Sequence, residues 1–355
     1  MNIGPIIARV GRIILPVAIA LVIGGIVIAL SGDNPIEVYG LLAREAFGGA
    51  YQIQSTMTSS TVLLFTATAT AISFRAGIFS LGAEGSLLAG GLAAAVTGST
   101  LTFTSPWLGI PAVLLAATVA GIVAAAVPAI LRAWLDVDEV VTTLLFTFVV
   151  AGLVSWLVQS RFQAQGQANS ATPYVQSTAE LPRFTIGPEV SLGFILGILV
   201  VVAYAVWSSR TTSGYAARML GSSPQFAAAI GIRTRWVVLG VMLATGAVAG
   251  LGGGVHLSGL VHRYVEGFSA GYGFTGLAIA LLARFNPWGI IAGALFFGAI
   301  TSAGGTVQMF ADIPLDIVQV LQGLVMIAVV ADFSQLHWRR KARIKRTQAS
   351  ETVAA

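Results

Sequence analysis

The chain has 355 residues, 56% of them hydrophobic and only 9% charged, and its mean hydropathy of +0.87 lies far above the range of water-soluble domains. That composition places it in a bilayer, and the absence of alternating ten-residue strands argues against a β-barrel and for α-helices to satisfy the backbone in lipid. The net charge of +5 does not mark a nucleic-acid partner, because the basic residues are spread over loops and one tail beside apolar runs, and with no cysteine neither disulfides nor thiolate chemistry are available.

In chain order, apolar windows long enough to cross about 30 Å as helices fall at 13–31, 57–74, 80–97, 108–131, 140–158, 191–207, 237–257, 274–288, 289–309 and 316–331. An all-α integral membrane protein of about ten spans is predicted, with residues 1–336 forming one polytopic domain. Arg9 and Arg12 precede the first run, which is too long for the apolar part of a signal peptide and reads as a retained helix. Asn34 to Phe47 carries apolar residues at helical spacing, which suits a helix lying on the membrane surface or a partly helical linker. The eighth span is short and interrupted. Residues 159–190, rich in Gln, Ser, Thr and Pro, are too polar to span and form the largest loop on one side. Residues 208–236 form a polar loop on the other. The tail at 337–355 begins basic, which suits an anionic leaflet, and is expected to be disordered.

Charge orients this frame. With the N-terminus in the cytoplasm, only Arg44, Arg161, Arg183 and Arg263 of the 19 basic residues fall outside, a bias that random orientation would rarely give. Both termini and the 208–236 loop are therefore predicted to be cytoplasmic. Most of the 41 glycines lie within spans, where small residues let helices approach closely. The run Gly246, Gly250, Gly252, Gly253 and Gly254 could also permit a bend or break.

The 208–236 loop reads as two short helices. Tyr215 to Leu220 ends at Gly221, a natural left-handed stop; then Ser223 caps a second helix, Pro224 takes its first position and Gly231 terminates it. On this reading Tyr215, Met219, Phe226 and Ile230 present apolar groups to water, as a protein contact would, although a helix pair resting on the membrane face fits equally well. At Phe74 to Gly90 the chain reverses through several glycines with one acid, Glu84, at the start of a span. A carboxylate there suits a helix cap better than an acid catalyst. Asp138 and Glu139 before the fifth span read the same way.

Four stretches together resemble the permease subunits of ATP-binding cassette importers in the branched-chain amino acid and simple-sugar group. They are Phe74 to Gly90, Asp138 to Leu145, Gly214 to Ile232, and Gly267 to Gly276 followed by Ala280 to Pro287. Within that group the chain is most similar to nucleoside or simple-sugar permeases fed by a basic-membrane-protein type lipoprotein. The resemblance implies a type II importer transmembrane domain in a prokaryotic plasma membrane. It also implies a tandem ATPase subunit in the cytoplasm, a second homologous permease (a heterodimer in the nucleoside systems) and an extracytoplasmic substrate-binding lipoprotein. ATPase coupling is carried over to Gly214, Tyr215, Arg218, Gly221, Pro224, Ala228 and Gly231. The substrate pathway is carried over to Gly77, Phe79, Gly82, Glu84 and Gly85, together with three departures: Ser80 and Thr147 where the family commonly has Asn, and Ser86 where it has Gln. The solute implied is a nucleoside, with a simple sugar as the alternative.

The chain has no phosphate-binding loop, and its only lysines, Lys341 and Lys345, lie in the tail. No cofactor is expected in this chain; ATP and Mg belong to the partner ATPase. His256, His262 and His337 lack metal-ligand spacing, and no catalytic set can be assembled, so an enzyme is not expected. His256 reads more readily as a packed histidine than as one facing a path. The rival is an ion-coupled carrier, which would keep charged groups deep in its spans. The carboxylates here read as lying at span ends or in loops.

Overall fold

A computed structural model describes residues 21–26, 28–29, 34–164, 170–183, 190–311, 320 and 323–324. Its helices are α1 Pro35–Phe47, α2 Ala50–Arg75, α3 Ala83–Thr100, α4 Pro106–Leu135, α5 Glu139–Ser160, α6 Leu192–Arg210, α7 Thr212–Ser222, α8 Pro224–Ala229, α9 Thr234–His256, α10 Tyr272–Leu282 and α11 Pro287–Ala311. Among the described residues, six helices are long and apolar enough to cross a membrane: Ala50–Arg75, Pro106–Leu135, Glu139–Ser160, Leu192–Arg210, Thr234–Val261 and Pro287–Gly305. The described residues contain no strand, only the isolated bridges Ala171 with Val265 and Arg183 with Ser191. The first and tenth predicted spans and the tail lie largely or wholly outside the described residues.

The described residues divide into two units, one of them residues 44–303. In the smaller unit, the Tyr39 hydroxyl donates to the Leu21 carbonyl at 2.6 Å, and Ile28 packs with Val38.

In the larger unit α9 packs chiefly against α4 and α3. The glycines explain why. Gly250 faces the Ala117 carbonyl and the Gly121 backbone of α4, and a side chain on Gly90 of α3 would strike the Gly250 backbone. Gly253 faces the Leu87 carbonyl, Gly254 the Ala117 methyl and Gly252 the Phe65 ring. Apolar burial cannot drive helices together in lipid, so close contact between small residues does. The Gly246–Gly254 run thus serves packing, and α9 stays helical through it before widening into a π turn at Leu257–Val261 that stops at His262, with φ 59°.

Helix α2 is buried on all sides from Ser60 to Ser73. Its hydroxyls return to its own backbone: Ser60 donates to the Thr56 carbonyl at 2.6 Å and Thr68 to the Leu64 carbonyl at 2.6 Å. Gly276 of α10 and Gly298 of α11 let those helices approach α2 at Thr66 and at Ser60.

One boundary differs from expectation. The predicted eighth and ninth spans meet at 288, whereas α10 ends at Leu282 and α11 begins at Pro287. Arg284 and Phe285 take left-handed backbone angles, and the Asn286 side chain accepts from Trp288 N at 3.0 Å with Pro287 in the first turn. A polar cap sets the break, and hydropathy alone does not see it.

Candidate functional site

The residues singled out in the sequence fall in two parts of the larger unit. The first is an elbow of α7 and α8. Thr211 caps α7 through Gly214 N at 3.1 Å, and Ser223 caps α8 through Phe226 N at 3.2 Å, with Pro224 in its first turn. Gly231 closes the pair at φ +85°. Gly221 does not act as a left-handed stop; it lies within α7, where a Cβ would meet the Arg75 carbonyl at 2.5 Å and Gly77 N at 2.9 Å. Only glycine lets α7 rest directly on the backbone of the loop after α2. Tyr215, Phe226 and Ile230 are 47%, 54% and 46% exposed. Ala228 lies in α8, and Arg218 is half-buried, its Nε without a hydrogen-bond partner among the described residues.

The second part begins where the elbow touches that loop. Gly77 takes φ +75° against Gly221, and Phe79, 41% exposed, stacks on Phe74 with centroids 4.5 Å apart. Residues 79–82 are then pinned to α5: Phe79 N donates to Glu139 Oε1 at 3.4 Å, and Leu81 N to Thr143 Oγ1 at 3.0 Å. Asp138 caps α5 through Val140 N and Val141 N, and Glu139 pairs with Arg132 at 3.0 Å. Thr143→Val removes the acceptor for Leu81 N without changing shape. A loss of about 1 kcal/mol in unfolding free energy is expected, read by thermal unfolding in detergent; unchanged stability would show that this N–H finds another partner.

Beyond the pins, Ser80, Gly82, Gly85, Ser86, Thr143, Thr147 and Thr245 line one crevice. Its volume of about 10 Å³ is at the lower limit for a single water, so the hydroxyls converge around a closed space. Thr147 donates to the Thr143 carbonyl at 2.8 Å, and the Ser73 and Thr245 hydroxyls pair at 2.5 Å. The structure thus gathers Ser80, Gly82, Gly85, Ser86 and Thr147, while Gly77 and Phe79 belong with the elbow. Sequence reasoning missed Thr143 and Thr245; the four-residue spacing of Thr143 and Thr147 on one helix face was the available signal.

Glu84 stands in the first turn of α3, as its place at a span start predicts, but in another role than a cap. It does not cap its own helix, whose start at Gly82 has no side-chain cap. Instead its carboxylate accepts from Gly273 N, 189 residues away at the start of α10, at 2.6 Å, and from the Ser269 hydroxyl. Glu84 is only 6% exposed. Beside it, His256 is 7% exposed and meets Phe268 and Tyr272 edge-on, at 5.0 and 5.3 Å.

At the end of the bundle away from the elbow, residues 170–183 pair with the chain after α9: Leu181 N donates to the Ser258 carbonyl at 2.9 Å, Val175 N to that of His262 at 2.9 Å and Thr172 N to that of Tyr264 at 2.9 Å. The Arg183 guanidinium contacts His262 Nε2. Burial lowers the His262 pKa, the Glu180 carboxylate opposes that shift and Arg183 adds to it, which favours a neutral imidazole accepting from Arg183.

A buried polar core, close glycine seams and an amphipathic elbow in an all-α bundle with six candidate spans are those of a polytopic helical membrane protein. The chain matches the family described as "Branched-chain amino acid transport system / permease component" over residues 52–330, and it belongs to that family. It is 30% identical to a glucose ABC transporter permease of Haloferax volcanii over 330 residues, covering 90% of this chain and 87% of the relative. It is 28% identical to a nucleoside ABC transporter permease of Lactococcus lactis (90% of each chain), and 24% identical to a guanosine ABC transporter permease of Bacillus subtilis (92% of this chain, 96% of the relative). No solved structure matches the chain. The fold and family make it a multi-pass protein of the prokaryotic plasma membrane.

Proposed function

We propose that this permease moves a nucleoside into the cell by alternating access, driven by an ATPase subunit that docks on the α7–α8 elbow at the cytoplasmic face. The observation that carries this reading is the contact of Gly221 with Gly77. A force applied to the exposed Tyr215, Phe226 and Ile230 passes through backbone, without an intervening flexible side chain, into the loop that leads to Ser80 and Glu84. ATP binding can shift the path between outward-open and inward-open states only through such differential contacts. ATP and Mg reside on that partner, and this chain supplies no catalysis. Ser80, Gly82, Glu84, Ser86 and Thr147 belong to the pathway, with Gly77 and Phe79 where it meets the elbow; the convergence of Ser80, Ser86 and Thr147 on one crevice supports this reading.

A simple sugar is the second reading, favoured by the glucose permease among the relatives. A binding lipoprotein delivers solute at the far end, to the loops at 159–190 and 259–272. Lactococcus lactis and Bacillus subtilis each contribute two different related permeases, which supports pairing with a second, non-identical permease. Arg218→Glu tests the docking. Uptake by proteoliposomes holding the full complex is expected to fall at least about tenfold, equivalent to about 1.4 kcal/mol, with membrane insertion intact. Unimpaired ATP-driven uptake would remove the elbow from the coupling route.

A further inference from the structure

Glu84 is the only buried carboxylate among the described residues, and it takes part in no ion pair there. A buried charge without an opposite charge depends on its hydrogen bonds, because taking an ionised carboxylate out of water is costly. Both of its donors belong to one short segment and its immediate continuation: the Ser269 hydroxyl, which also accepts from Tyr272 N at 3.3 Å, and Gly273 N at 2.6 Å. That segment is bounded by Gly267 at φ +77° and Gly271 at φ +80°, angles that glycine adopts at no steric cost, and open space lies beside Gly267. Between them Phe268 stacks on Tyr264 with centroids 4.7 Å apart, meets His256 edge-on and rests on Gly91. Two hinges thus flank a piece of chain that covers an acid and a ring cluster.

We propose that residues 267–271 form a flap occupying a solute-recognition site, in which the Glu84 carboxylate reads paired hydroxyl groups and the Tyr264 ring, uncovered when Phe268 leaves with the flap, stacks on the solute's apolar face. This rests on the transport reading above and names the chemistry recognised: a vicinal diol, as on a ribose or hexose ring. Two donors, a backbone N–H and a hydroxyl, converge on one carboxylate in the closed form, and a diol also offers two donors, so the carboxylate keeps its hydrogen bonds when one set replaces the other. The Tyr264 ring supplies what a hydroxyl-reading acid cannot, a flat apolar surface. Solute and flap compete for the same oxygens, so binding itself releases the start of α10. Gly273 has no side chain because one would strike the Glu84 backbone, which keeps the N–H at bonding distance.

The test has two arms, both on the full-length protein. In hydrogen exchange, Ser269→Ala and Glu84→Gln are each expected to speed exchange of the amides at 268–275 about tenfold, with α4 and α9 unchanged. Wild-type rates in both variants would overturn the flap. In proteoliposomes holding the complete importer, wild-type uptake is expected to favour adenosine over 2′,3′-dideoxyadenosine, or D-glucose over 2-deoxy-D-glucose, at least about tenfold. Ser269→Ala lowers KM for the hydroxylated member, and Glu84→Gln brings the ratio close to one. A preserved ratio in Glu84→Gln overturns recognition by the acid and leaves the transport reading standing. Uptake that persists without the ATPase subunit and follows a proton gradient assigns Glu84 to ion coupling and overturns both.

Discussion

Gly221→Val is expected to cut ATP-driven uptake about thirtyfold, the effect of losing about 2 kcal/mol of coupling, while the protein remains folded in the membrane. A Cβ at this position would lie 2.5 Å from the Arg75 carbonyl, 2.9 Å from Gly77 N and 3.0 Å from the Ala76 carbonyl carbon. All three are backbone atoms, which cannot swing aside as the end of a side chain would. Helix α7 must therefore lift away from the loop it rests on, and the load path to Ser80 and Glu84 is broken. Seams among α3, α4 and α9 are untouched, so the unfolding midpoint should stay near that of the parent protein. ATPase activity of the assembled complex, measured beside uptake, separates the outcomes: hydrolysis without transport is expected, and normal transport would rule out this contact as the transmission point.

Gly250→Leu should instead unfold the protein. Its Cβ would press on the Ala117 carbonyl at 2.5 Å and on the Gly121 Cα at 2.7 Å, while Gly90 of α3 packs on the same residue. Overpacking of a core typically costs about 1–3 kcal/mol, and backbone on two sides leaves nothing to repack, so a loss above about 3 kcal/mol is expected. Gly240→Leu in the same helix is the control, because nothing lies within 4 Å of its Cβ position. There the better helix propensity of leucine should leave stability equal or raised by up to about 1 kcal/mol. Thermal unfolding of both variants in one detergent reads the difference, and equal midpoints would contradict the three-helix seam.

Much of this was legible in the chain. Spans follow from unbroken apolar windows, because lipid permits few alternatives to a helix, and Ser223-Pro224 announced α8 through cap chemistry that acts over three residues. Distant contacts were not legible. Gly221 in a polar loop looks like a helix stop, and its use as a landing place for Arg75 and Gly77 exists only once the chain has folded back on itself. Glu84 at a span start looks like a local cap, and nothing near it in sequence points to Gly273. The hydroxyls of Thr143 and Thr245 were overlooked for a related reason. A threonine in an apolar helix ordinarily bonds to its own preceding turn, as Thr68 and Thr70 do, and only tertiary placement brings some of them to one crevice.

The glycine seam joining α3, α4 and α9 leaves no side chains to trade rotamers, so these three helices have a single way of fitting together. Rocking cannot be absorbed within them. It falls to the margins, where left-handed residues stand at 77, 136, 267, 271 and 284–285. The permease is in this sense a stiff frame with soft joints: distances between spin labels placed inside the frame should hold constant through the transport cycle, and all measurable displacement should appear across its joints.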